Sequence, residues 1–149
     1  MQNHAKLIGM ARTPARLAPM EEIASVLVTP EAGIAGDARD VKRRRQVSIL
    51  FREDWEAACR DVPLAQILPW ITRRANLLVE GLANPRAAGA QIRIGEVVLE
   101  VVCETEPCDI MEKAQAGLKA ALMPDWRGGV CCKVVKGGTL SLGDLAQSG

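Results

Sequence analysis

The sequence predicts a mainly β, α+β fold: a β-barrel-like sheet carrying a few short helices. Three observations point there. Short, β-branched apolar runs recur through the 149 residues. Gly-rich turns separate them, and only two or three segments carry helical spacing. There is no repeat, long linker or low-complexity tract, so residues 1–149 are expected to form one domain with a core of about 7–144. A chain of this length buries about 70% of its unfolded surface, enough for a core without disulfide staples.

In chain order, Leu7-Ile8-Gly9-Met10 and residues 24–29 read as strands, separated by a Pro-containing stretch at 14–19. The turn at 30–37 ends in Gly33-Ile34-Ala35-Gly36-Asp37, whose glycines permit positive φ. Residues 46–50 read as a strand and 52–60 as a short amphipathic helix, and 64–70 is broken by prolines at either end. Residues 76–81 form a strand and turn, and Gln91-Ile92-Arg93-Ile94 alternates as a half-buried strand should. Gly95-Glu96 is a hairpin turn into a strand over 97–103. Ile110, Ala114, Leu118 and Leu122 then recur every four residues, the stripe of one amphipathic helix. Residues 130–135 and 140–142 close the strand series, and the tail after Asp144 reads as disordered.

Composition excludes several classes of function. Hydrophobic content of 48% and charged content of 25% are globular values. A net charge of +1 gives no general attraction to nucleic acid or anionic membrane. One Phe, three Trp and no Tyr leave no stacking platform for single strands. No apolar stretch approaches a membrane span, and the first residues lack a signal-peptide layout, so a cytoplasmic location is expected. Five cysteines, an odd count, fit free thiols in a reducing compartment. The single histidine, His4, reads as a solvated end residue, which disfavours Ser-His or Cys-His catalysis.

The densest chemistry lies at Pro107-Cys108-Asp109, where strand pattern gives way to helix pattern. Asp109 reads as an N-cap and Glu112 as its capping-box partner. Cys108 would then sit beside the unpaired N–H groups of a helix start, which favour a thiolate, while the Asp109 charge opposes it. A thiolate there can attack sulfur, hold a persulfide or ligate a soft metal. The same pattern equally suits a buried structural cysteine.

The other cysteines read differently. A structural zinc site at Cys103-x4-Cys108 is only weakly supported. Cys131 and Cys132 should point to opposite faces of a strand, Cys132 to the core and Cys131 to the more accessible side. Cys59 reads as packing. Two basic clusters remain, Arg39 with residues 42–45, and Arg73-Arg74. Such runs are ordinarily solvated faces. If their ends converge with Cys108, they make an anion pocket in which Arg offers bidentate contacts to phosphate.

Several motifs fall in a recognisable order. Gly33-Ile34-Ala35-Gly36-Asp37 precedes Gln46-Val47-Ser48-Ile49, then Arg74-Ala75-Asn76-Leu77 with Gly81. Ile92-Arg93-Ile94-Gly95, Leu99-Glu100-Val101 and Pro107-Cys108 follow, and Gly128-Gly129-Val130, Gly137-Gly138 and Gly143-Asp144 close the series. The set resembles a MOSC domain, the module named for the C-terminal part of molybdenum cofactor sulfurases.

That resemblance implies a barrel-cored β fold and a role with the molybdenum cofactor, or in carrying sulfur as a persulfide toward metal–sulfur centres. The family's cysteine falls on Cys108, as sulfur carrier or molybdenum ligand. Its cofactor-binding positions fall on Arg74 and Asn76, with Gly36, Asp37 and Arg39 at the earlier turn. Many members have a His where this chain has Arg39. The sulfurases' pyridoxal phosphate domain has no counterpart here, so pyridoxal phosphate is not expected. The partners implied are the cofactor itself or a sulfur donor or acceptor protein. Two other readings stand beside this one. The chain could be the molybdenum-dependent reductase component for N-hydroxylated compounds, served by separate electron-transfer partners. It could equally be a non-catalytic cofactor-binding or sensing module.

Overall fold

A computed structural model describes residues 4–15, 17–37, 45–62 and 67–149. The chain runs through strands β1 (Lys6–Arg12), β2 (Glu21–Glu22), β3 (Ser25–Thr29), β4 (Gly33–Ile34) and β5 (Val47–Phe51), then helix α1 (Arg52–Arg60). A 3-10 turn, Trp70–Arg73, leads to β6 (Leu77–Glu80), β7 (Gln91–Ile94) and β8 (Val97–Glu104). Helices α2 (Asp109–Ala114) and α3 (Leu118–Leu122) precede β9 (Val130–Lys136), β10 (Gly138–Ser141) and β11 (Ala146–Ser148).

Eight strands form one sheet in the order β11-β7-β8-β9-β5-β6-β1-β2, and β10-β3-β4 form a second. All pairs are antiparallel except β5 with β6, which are parallel and joined through α1. This parallel pair is the centre of the domain. Ile49, Phe51, Leu77 and Val79 face the main core with Val28, Leu99 and Cys132. Leu50 and Leu78, between them in sequence, face a second cluster with Trp55, Met111, Leu118 and Leu122. Both strands are thus covered on both faces, which is why they read as mainly apolar runs rather than alternating ones.

The barrel expectation needs correction. The fold is mainly β with few helices, but no sheet among the described residues closes into a barrel. The large sheet curls until β1 meets the segment leading into β11. An isolated bridge, Lys6 to Leu145, joins them, with backbone bonds from Leu7 N–H to Asp144 C=O and from Ala146 N–H to Ala5 C=O. Farther along β1, the partner is β2, at Ala11 and Arg12.

The tail also departs from expectation. Residues 146–148 are ordered as β11, paired with β7 through Ala146↔Ile94 and Gln147↔Arg93. The single helix expected after Cys108 is two short ones. Gln115 is extended at φ −159°, and Gly117 takes φ 89°, a left-handed conformation that breaks the helix. The buried stripe is therefore Met111, Leu118 and Leu122, while Ile110 is 42% exposed. Among the described residues, no helix is long and apolar enough to cross a membrane.

Candidate functional site

One cleft of about 520 Å³ opens where the N-terminal ends of the parallel pair meet the β8–α2 connection. Arg45, Gln46, Val47 and Ser48 line it from β5 and its approach. Arg73, Arg74, Ala75 and Asn76 line it from the turn before β6. Thr105, Glu106, Cys108, Ile110 and Met111 form the facing wall, with Gly128 and Cys131 from the start of β9 and Leu17 at the rim. The volume lies within the usual range for small-molecule sites.

Two adjacent arginines play different parts. Arg73 closes the 3-10 turn and is 7% exposed. Its Nε donates to the Gly128 carbonyl at 3.1 Å, and its Nη2 donates to those of Thr105 at 2.8 Å and Glu106 at 3.4 Å. Burial pushes its pKa below the usual guanidinium range, and the nearby Cys108 and Cys131 sulfurs act in the opposite sense. Arg73 thereby ties the segment that carries Cys108 to β9. Gly128 is required beside it, since a Cβ there would run into the Thr105 carbonyl oxygen. Arg74 takes φ 64°, a left-handed conformation. It stays half-buried, with Nη2 donating to the Ala18 carbonyl at 2.9 Å.

Asn76 lines the cleft but is only 2% exposed. Its Oδ1 accepts from the Ser48 N–H at 3.1 Å, and its Nδ2 donates to the Ala11 carbonyl at 3.2 Å. The Ser48 Oγ accepts from the Asn76 N–H at 3.0 Å. One amide thus joins β1, β5 and the start of β6. These bonds make Asn76 a builder of the cleft floor.

Cys108 is the exposed one of the five cysteines, all of which are free. It is the N-cap residue of α2, in extended conformation with φ −130° and without a side-chain capping bond. The capping box expected of Asp109 and Glu112 is not formed. Asp109 is the first helical residue, and its ion pair with Lys119, at 2.8 Å, holds its carboxyl below the ordinary range. Glu112 instead accepts from the Gly117 and Lys119 N–H groups and so caps α3. The break at Gly117 puts the orphan donors of the second helix within its reach.

The structure therefore brings Cys108, Arg74, Asn76 and Arg45 to one cleft. Gly36 and Asp37 are not among the lining residues. Asp37 is buried, and its Oδ1 accepts from the Thr13 N–H at 3.0 Å. Arg39 and residues 42–44 lie outside the described residues. Cys131, named in the sequence only as the more accessible of its pair, lines the cleft, with Thr105 Oγ1 3.2 Å from its Sγ. The alternation along β9 was the signal for it. Burial pushes the Cys131 thiol up, opposed by the Thr105 hydrogen bond. Among the described residues, no group of three or more His, Cys, Asp or Glu side chains is arranged to hold a metal ion.

A family model described as the MOSC domain matches residues 36–147. The chain belongs to the MOSC domain family. Among solved structures, this MOSC protein is similar to the YuaD protein from Bacillus subtilis, at 20% identity and a TM-score of 0.77. That match covers 95% of this chain and 93% of the other. It is also similar to YiiM from Escherichia coli, at 19% identity and a TM-score of 0.70, over 97% of this chain and 69% of that one. YiiM from Geobacillus stearothermophilus matches at 15% identity and a TM-score of 0.68, over 99% and 74%. At these identities the likeness is one of fold. A search of curated proteins found no match.

Proposed function

We propose that Cys108 is the working thiol of a cleft that takes the molybdenum cofactor or the sulfane sulfur destined for it. The observation that carries this reading is that the one exposed cysteine of five opens into a cleft also lined by Arg45 and Arg74. Its donor set suits both cargoes. A thiolate is a soft ligand and a sulfur nucleophile, and guanidinium groups recognise phosphate. The protein supplies no further metal-binding cluster among the described residues, so Cys108 would be a single protein ligand to a metal that arrives already chelated. The bound cofactor would supply a redox-active metal, with its pterin phosphate set toward the arginines.

Sulfur carriage needs only the residues present and a donor persulfide. The Cys108 thiolate attacks the outer sulfur of the donor. The donor's S–S bond breaks as the new one to Cys108 forms, and the donor leaves as a thiolate. The exchange is redox-neutral overall. Arg45 and Arg74 favour anionic donors and the persulfide anion, and the exposure of Cys108 lets a protein donor approach.

The test is to purify the protein gently from a host that makes molybdenum cofactor, then measure molybdenum by mass spectrometry and persulfide by cyanolysis. One or the other should be present, and Cys108→Ser should abolish it while the melting curve is unchanged. A Cys108→Ser protein that keeps full loading would overturn the reading.

A further inference from the structure

The strands β8 and β9 change register between Val101 and Cys103. Val101 faces Cys132, and unbroken pairing would set Cys103 opposite Val130. The irregularity shifts the ladder by one residue and sets Cys103 opposite Cys131. From there pairing is regular: Glu104 faces Val130, and the Thr105 N–H donates to the Gly129 carbonyl at 2.9 Å. Alternation makes Cys103 and Cys131 a hydrogen-bonded pair, for which Cα atoms stand about 5.5 Å apart. That lies inside the range that a disulfide spans.

The side chains agree with the backbone. Opposed residues of a ladder share a face, so both thiols project to the same side. Both are half-buried, reachable by a small reagent but out of bulk solvent. Cys132, next in sequence, is fully buried in the core and takes no part. Cys131 lines the cleft, so a small molecule entering there reaches the pair through Cys131.

We infer that Cys103 and Cys131 form a dithiol–disulfide couple on the wall of the cleft, a second thiol centre separate from Cys108. Its reactant class is a small disulfide. One thiolate of the pair attacks a sulfur of the small disulfide, which gives a mixed disulfide and releases one small thiol. The second thiolate attacks the protein sulfur of that mixed disulfide, closes the Cys103–Cys131 bond and releases the second small thiol. The protein loses two protons and two electrons, and the small disulfide gains them as two thiols. A small dithiol runs the reaction backwards.

Oxidised glutathione and the Cys108→Ser protein test this without interference from the exposed thiol. After treatment, intact mass is measured, and free thiols are then blocked before peptide mapping. The expected result is a loss of the mass of two hydrogens, joined peptides containing Cys103 and Cys131, and no lasting glutathione adduct. Dithiothreitol should restore the original mass. In the double variant Cys103→Ser, Cys108→Ser the resolving thiol is gone, so a glutathione adduct should persist on Cys131. Cys59 and Cys132 should stay unmodified throughout, as a check that the variants are folded. A persistent adduct on either cysteine while the other is present, joining to any other cysteine, or two thiols that remain free would each overturn the inference. None of these outcomes bears on the loading of Cys108, so the two proposals fail separately.

Discussion

Replacing Arg73 by Met removes three hydrogen bonds while keeping much of the side chain's bulk. The Gly128 carbonyl bond is the costly loss, since that contact is buried, and a buried acceptor left unpaired costs about 1–3 kcal/mol. The Thr105 and Glu106 carbonyls are partly exposed and recover water at lower cost. Against this, the variant no longer buries a guanidinium, whose desolvation already pushes Arg73 below its ordinary pKa. The balance is a loss of about 2–3 kcal/mol. For a chain of this size, the melting temperature should fall by roughly 5–10 °C. Thermal unfolding by circular dichroism reads the shift. Hydrogen exchange of residues 105–108 gives an independent view, because Arg73 anchors that segment to β9. Arg73→Lys should sit between parent and Met variant, since one ammonium lacks the planar fork that reaches Gly128 and Thr105 together. A melting temperature equal to the parent's, with unchanged exchange in the segment, would refute the anchoring argument.

Asn76→Ala strips an acceptor from the Ser48 N–H and a donor from the Ala11 carbonyl, so it should cost about 2–4 kcal/mol, read as a lower urea midpoint at constant slope. An unchanged midpoint would return Asn76 to a role in ligand contact alone. Stability should also decline in alkali. Burial holds the Cys132 thiol well above its ordinary 9.0, so the unfolded chain releases that proton first as pH rises. Its contribution is whole below about pH 9 and is lost above it by up to about 1.4 kcal/mol per pH unit. Urea titrations at rising pH should fall less steeply for Cys132→Ala, and parallel slopes would contradict the assignment.

The strands were legible where apolar residues set a clear period. Gln91–Ile94 alternates and β5 is apolar apart from Ser48, and both lie where pattern puts them. The break between α2 and α3 was not legible, because the apolar spacing from Ile110 to Leu122 crosses it without a fault. Only the left-handed Gly117 and the bonds from Glu112 mark it. The strand β11 was hidden for a different reason: Ala146-Gln147-Ser148 has little intrinsic strand preference and is ordered by pairing with β7. At the site, Cys108, Arg74 and Asn76 were marked by their place in an ordered set of motifs. That Arg73 would be the buried anchor and Arg74 its half-buried neighbour depends on the distant carbonyls of Thr105, Glu106 and Gly128 that meet Arg73. The meeting of Cys103 with Cys131 depends on one extra residue in a ladder. Neither leaves a trace in composition or periodicity.

The bridge from Lys6 to Leu145 bears on how the chain comes together in time. It joins segments separated by nearly the whole length of the domain. Such contacts carry the greatest loop-closure cost and tend to lower the folding rate. During synthesis β1 is made first, yet β6, its principal ladder partner, arrives some seventy residues later, and the clasp at residues 143–146 later still. Until β6 is made, the apolar face of β1, with Leu7 and Met10, lacks its principal partner strand. A nascent chain stalled short of that clasp therefore presents an open strand edge, the feature that invites pairing with other chains. The interval before closure, rather than the finished fold, is when this protein is most exposed to aggregation.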